Sequence, residues 1–171
     1  LTMSFPYTVG QEPMSYSQFT SGRPCPKGSK APFLTRYLDC STAPLYPFGY
    51  GLSYTDFSIS EPTLDRTEMQ AGETIVASVT VANGGKRTGC EVVQLYIQDV
   101  AASCVRPVKE LKGFRRVELA PGEAQRVTFS ISEEMLRFHR GDGSFGSEPG
   151  KFRLWIGNSS EDGEAREFFL Y

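Results

Sequence analysis

The chain has 171 residues, a formal net charge of −2, 39% hydrophobic and 22% charged residues. That balance is ordinary for a globular protein and offers no basic cluster to track a nucleic-acid backbone or an anionic membrane. No apolar run approaches the roughly 18 residues needed to span a bilayer, and the length suits one domain plus an appendage.

The opening residues, Leu1-Thr2-Met3-Ser4-Phe5-Pro6, carry neither an initiator Met nor a basic-then-apolar leader, so the chain reads as excised from a longer one. Residues 1–56 hold about half of the aromatic side chains in a third of the length, with many Pro, Gly and Ser. Turn signals fall at Gly10-Gln11-Glu12-Pro13, Ser21-Gly22-Arg23-Pro24 and Pro26-Lys27-Gly28-Ser29-Lys30. An irregular aromatic segment cannot bury its own surface, yet disordered chains are poor in aromatics. Residues 1–56 are therefore expected to form a strap that lies against a larger body outside this chain.

Within the strap, Leu45-Tyr46-Pro47-Phe48-Gly49-Tyr50-Gly51-Leu52-Ser53-Tyr54-Thr55 alternates large and small residues. An extended backbone here would carry an aromatic face and a nearly bare face that admits close approach of another surface. Pro47 argues for an edge or a connector rather than a central strand. The aromatics leave two readings open, packing against a domain and stacking against sugar rings.

From Phe57 the texture becomes short strands. Ile75, Ala77, Val79 and Val81 alternate with smaller or polar residues up to Asn83-Gly84-Gly85, which reads as a hairpin-type turn. Val93, Leu95 and Ile97 alternate next. Glu110 to Leu119 follows with Gly113 as a bulge or bend. After the turn Ala120-Pro121-Gly122-Glu123, Val127, Phe129 and Ile131 alternate, then Phe152, Leu154 and Ile156, and Glu167–Tyr171 closes the chain. Only Ser132 to Phe138 hints at a helical turn, with Ser132 as its cap. The prediction is an all-β, two-sheet sandwich over 57–171, preceded by the strap at 1–56. Trp155 comes too late, and Cys90 and Cys104 lie too close together, for an immunoglobulin disulfide core; the fibronectin type III arrangement fits. The four cysteines Cys25, Cys40, Cys90 and Cys104 match no zinc or redox spacing; four allow three pairings, and since a core of this size forms without them the simpler reading is thiols, with the redox compartment left open.

Several motifs in fixed order carry a resemblance. Met3-Ser4-Phe5-Pro6, Val9-Gly10-Gln11-Glu12-Pro13 with Tyr16, Gly22-Arg23-Pro24, Arg36-Tyr37-Leu38-Asp39 and the Leu45–Thr55 run resemble the end of the second, α/β domain of family 3 glycoside hydrolases. Val92-Val93-Gln94-Leu95-Tyr96, Arg106-Pro107-Val108-Lys109-Glu110-Leu111-Lys112-Gly113-Phe114 and Leu119-Ala120-Pro121-Gly122-Glu123 resemble that family's fibronectin type III-like domain. The likeness covers essentially the whole chain and is nearest to β-glucosidases of the bacterial periplasmic type. Thr2, standing where these often carry Pro, and the cysteines Cys25 and Cys40 depart from the pattern.

The resemblance implies a parent that removes terminal β-linked glucose or xylose with retention, using two carboxyl groups about 5–5.5 Å apart. Both would lie upstream, in a barrel domain and the α/β domain. No catalytic, cofactor or metal residue is therefore expected in this chain, and alone it should be inactive. Its expected partners are those upstream domains and, for the parent, a β-linked oligosaccharide; the parent would be periplasmic or extracellular. Self-association through the strap and an independent carbohydrate- or protein-binding module are the alternatives.

Local candidates have plainer readings. Asp39 beside Arg36 suggests an Arg–Asp pair or turn cap. Asp99 and Asp142 read as turn residues. His139, the only histidine, suits the carbonyls at the end of a helical turn. Arg140-Gly141-Asp142 spells an integrin-type tripeptide in a glycine-rich turn. Arg106 is expected to dock in part against acidic groups of a neighbouring domain, with Lys109 and Lys112 on a solvated edge. Asn158-Ser159-Ser160 matches a glycosylation sequon but marks a turn.

Overall fold

In a computed structural model, residues 1–20, 22–25, 29 and 31–171 are described. The turn signals at Ser21 and across 26–30 lie wholly or partly outside these residues.

Eleven strands follow in order among the described residues: β1 Phe57–Ile59, β2 Thr63–Leu64, β3 Glu68–Met69, β4 Thr74–Asn83, β5 Gly89–Asp99, β6 Glu110–Leu119, β7 Ala124–Ser132, β8 Phe138–His139, β9 Phe145–Gly146, β10 Gly150–Gly157 and β11 Arg166–Leu170. β4 is central in one sheet, paired along one edge by β7 and along the other by β1 and β2. The second sheet runs β3-β11-β10-β5-β6, antiparallel except for the β3–β11 pair. β8 and β9 form a separate hairpin.

The alternation read from the sequence places one side of each long strand between the sheets. Ile75, Ala77, Val79 and Val81 of β4 and Val127, Phe129 and Ile131 of β7 face Val93, Leu95, Ile97, Phe152, Leu154, Ile156 and Phe168, all in one buried cluster. Phe152 and Phe168 stack across β10 and β11 with centroids 5.3 Å apart. Each of these side chains except Ala77 contributes about 1.5–3 kcal/mol by leaving water, which is why these five strands suffice for a core. The chain is all-β, a two-sheet sandwich.

Two local expectations change. Asn83-Gly84-Gly85 is no hairpin, because β4 and β5 lie in different sheets. The segment crosses between them, fastened by the buried Asn83 side chain. Its Nδ2 donates to the carbonyls of Arg87 (2.8 Å) and Leu119 (2.9 Å), while its Oδ1 accepts from the Thr55 hydroxyl (2.7 Å) and the Gly85 N–H (3.0 Å). The helical turn is a single 3-10 turn at Glu133–Leu136, and Ser132 makes no side-chain cap bond. Glu133 is instead gripped by Arg137 at 2.7 Å and the Ser147 hydroxyl at 2.5 Å.

The Gly113 bend is a bulge: Leu95 pairs with Gly113 and Tyr96 with Leu111, leaving Lys112 as the extra residue. Residues 1–56 carry no strand among the described residues, only isolated bridges such as Phe5 to Tyr46 and Phe19 to Pro107.

Candidate functional site

A sheet face turned away from the core is ordinarily polar and wet. The outer face of the five-stranded sheet departs from this at its centre. Gln94 and Tyr96 of β5 point outward, opposite Val93, Leu95 and Ile97, yet are only 4% and 0% exposed. The strap covers them. Tyr16 stacks on Phe48 at 4.3 Å and meets the Tyr96 ring edge-on at 5.8 Å.

The buried polar atoms in this seam satisfy one another, as burial requires. Gln94 Nε2 donates to the carbonyls of Asn158 (2.6 Å) and Gly49 (3.3 Å), and its Oε1 accepts from the Tyr96 hydroxyl at 2.5 Å. Burial, reinforced by Tyr16, pushes the Tyr96 phenol well above its ordinary value, so it remains a donor. The Ser160 N–H donates to Phe48 O at 2.9 Å. Gly49 has φ +83°, and a Cβ there would sit 2.1 Å from Gln94 Oε1. The bare side of the Leu45–Thr55 run is thus where the strap touches the sheet.

Farther along, the Val108 N–H donates to Gln18 O at 2.9 Å, and Tyr16 OH accepts from the Leu111 N–H at 3.4 Å. The two limbs of the strap are joined by Gln11, whose Oε1 accepts the Tyr7 N–H (2.5 Å) while Nε2 donates to Ser41 O (2.7 Å).

The expectation that the strap finds its support outside the chain therefore needs correcting for Tyr16 and Phe48, which rest on this chain's own sheet. It does not apply to the far end of the run: Leu52 and Tyr54 are 90% and 91% exposed. Leu1, Met3, Phe5, Tyr7 and Val9 are also exposed. A cleft of about 720 Å³ opens between strap and sheet, lined among others by Tyr16, Phe19, Arg36, Tyr37, Lys109 and Trp155.

A fibronectin type III-like domain matches residues 91–160. The chain is 48% identical over 160 residues to a periplasmic β-glucosidase of Salmonella typhimurium, covering 94% of this chain and 21% of that protein. It is 44% identical over 161 residues to a β-xylosidase of Formosa agariphila, with the same two coverages. A crystal structure of β-glucosidase from Listeria innocua superposes with a TM-score of 0.91 at 41% identity, covering 99% of this chain and 24% of that one. The chain belongs to the family 3 glycoside hydrolases, matching their C-terminal region with its fibronectin type III-like domain. It spans about a fifth of the length of the curated relatives it matches.

In this glycoside hydrolase region, the carboxylates singled out from sequence do not converge. Asp39 is exposed, and no ion pair joins it to Arg36 among the described residues, correcting the expected pair; an exposed pair has little to gain. Asp99 ends β5 half-buried, with Oδ2 lacking a hydrogen-bond partner. Burial pushes its carboxyl up, against the Ala101 amide and Arg106, while Glu148 and Glu110 add to the rise. Asp142 accepts the Ser144 N–H at 2.9 Å, closing the turn expected of it.

Arg140 does not stand out beside Asp142 as an adhesive tripeptide. Its guanidinium is held by Glu148 at 3.2 Å and by the Ser147 carbonyl. His139 lies in β8 with its ring 4.8 Å from Phe145, not at the end of the turn. The Arg137 N–H already occupies Glu134 O there.

Arg106 is engaged within this chain rather than by a neighbouring domain, 2.7 Å from Glu110 and 4.4 Å from the centre of the Phe138 ring. The two lysines are corrections. Lys109 donates to Ser160 O at 2.6 Å and lies 4.5 Å from the Trp155 ring centre, and burial lowers its pKa. Lys112, 3.6 Å from Glu110, has a side chain only 19% exposed. Ser160, Trp155 and the bulge turn what looked like a solvated edge into a covered one. Asn158 begins a turn, as expected, and no disulfide joins the four cysteines. Among the described residues no cluster of His, Cys, Asp or Glu could hold a metal.

The residues that build the seam, Gln94 and Tyr96, were visible only as motif letters. A glutamine facing out of a strand looks solvated until the segment covering it, about 45 residues upstream, is known.

Proposed function

We propose that this chain is a non-catalytic brace of a retaining β-glycosidase, with residues 1–56 as the tail of an α/β domain and 57–171 as the sandwich that anchors it. The observation that carries this reading is the uneven anchoring of the strap. Its Phe48–Gly49 stretch is locked to Gln94 and Tyr96 of the sheet, and its far end leaves Leu52 and Tyr54 bare. An apolar surface presented on a rigid support is suited to a neighbouring domain.

In this account the polypeptide acts on terminal β-linked glucose or xylose in the periplasm or outside the cell, consistent with its relatives. Its nucleophile and acid/base lie in the preceding domains. The sandwich fixes the end of the α/β domain, so orientation of the catalytic groups depends on it indirectly. Deleting residues 57–171 from the full polypeptide should lower melting temperature and soluble yield more than the turnover of the surviving folded fraction. Unchanged melting and activity in that deletion would contradict the bracing role.

A further inference from the structure

Val92 of β5 and Phe114 of β6 lie on the outer face of the five-stranded sheet, where a side chain meeting water is ordinarily polar. Phe114 is nevertheless 64% exposed and Val92 37%. Phe114 pairs with Gln94 in the β5–β6 ladder, and Val92 stands two residues from Gln94 on the same side. Both therefore flank the point at which Gly49 is fastened to Gln94. From that point the strap runs back along β5. A Cβ on Gly89 would lie 2.6 Å from the Thr55 methyl, so residues 50–54 pass from Gln94 to Gly89 with Val92 between. The bare Leu52 and Tyr54 of the strap and the bare Val92 and Phe114 of the sandwich thus share one stretch of surface.

Leu1 is fastened at the same place. Its nitrogen donates to Tyr50 O at 2.7 Å, and the Gly49 N–H donates to Leu1 O at 2.8 Å. Whatever precedes Leu1 in a full polypeptide starts beside Tyr50, two positions from Leu52. A residue adds at most about 3.6 Å of reach, so the first few stay close to Leu52, Val92 and Phe114. The relatives carry about four-fifths of their length outside the matched region, so the bulk of such a polypeptide would attach here.

We propose that the preceding domain docks on the sandwich itself, burying Val92 and Phe114 together with Leu52 and Tyr54. This inference rests on the bracing role and extends it. Contact through residues 50–54 alone would leave the two bodies free to pivot about one line of chain. A second line of contact on β5 and β6 fixes the rotation of the sandwich. A surface tethered at Leu1 acts at an effective concentration of about 1 mM, ahead of a second copy of the chain at ordinary protein concentrations.

Hydroxyl-radical footprinting read by mass spectrometry, comparing the 171-residue chain with the full polypeptide, tests this. Side chains at the centre of an interface are as enclosed as a protein interior, so Phe114 should be oxidised about fivefold more slowly in the full polypeptide. Tyr54 reports the bracing role in the same spectra. Protection of both residues is the expected result. Protection of Tyr54 with Phe114 oxidised at equal rates in the two proteins would overturn this inference and leave the bracing role standing. Protection of neither would overturn both. Phe114 protection that fades on dilution would identify a second copy as the occupant, and would overturn the inference as well.

Discussion

The side-chain amide of Gln94, buried on a sheet face that ought to be wet, donates to the main-chain carbonyl of Gly49, 45 residues upstream. This contact helps tie an irregular segment to a regular sandwich. Gln94→Leu would strand the Tyr96 hydroxyl and two carbonyls without partners. The expected loss is about 2–4 kcal/mol, read from urea unfolding of the 171-residue chain. Protease cleavage within residues 1–56 should rise in parallel. Unfolding and cleavage both unchanged would mean that the seam is not a source of stability.

Gly49→Ala tests the same seam from the strap side. The backbone at φ +83° disfavours a side chain, and the new methyl would overlap Gln94 Oε1. A destabilisation of at least about 1 kcal/mol is expected. Gly51→Ala, with open space around its Cβ, should have a much smaller effect. The measurement is the difference in unfolding midpoint between the two variants; equal midpoints would count against the close approach.

Asn83→Ala removes four hydrogen bonds from the crossing between the two sheets. It leaves the Leu119 carbonyl buried without its side-chain donor, and the expected cost is about 2–4 kcal/mol. Thr55→Val deletes one of the four and should cost about 1 kcal/mol. A double-mutant cycle reads the coupling, and additivity between these two touching residues would contradict the clamp.

Asp99 makes a pH prediction. Its carboxyl is raised above the ordinary value of 3.8 chiefly by burial, so the folded state holds the proton more tightly than the unfolded chain. Stability contributed by the protonated form is present below 3.8 and is lost as pH rises through the raised folded value. Asp99→Asn keeps the Ala101 contact and cannot ionise. Its stability relative to the native chain should therefore improve as pH is taken from below 3.8 to neutral. Thermal melts at both ends of that range check the sign, and a variant that loses stability relative to the native chain as pH rises would refute it.

The sandwich was legible because inward positions of β4, β5, β7 and β10 repeat every second residue, and burial alone dictates that pattern. What was misread depends on distant partners. Asn83-Gly84-Gly85 has the composition of a hairpin, but β4 pairs with β7, and turn chemistry carries no information on which sheet the next strand joins. Lys109 looks like a solvated edge residue until Trp155 and Ser160, about 50 residues later, fold over it. Within the Leu45–Thr55 run, Leu52 and Tyr54 are bare, while Phe48 stacks on Tyr16.

The bracing role makes its sharpest claim at Leu52 and Tyr54. Both are almost fully exposed, so changing both to Ser should leave the melting of the 171-residue chain unaltered. In the full polypeptide the same pair would be buried against the preceding domain, at about 1.5–3 kcal/mol for each side chain. The most direct measurement is the melting temperature of the full polypeptide with Leu52→Ser and Tyr54→Ser together. A clear fall in that protein, with none in the isolated chain, is the predicted result; identical melting of the native and doubly substituted full polypeptides would contradict the account.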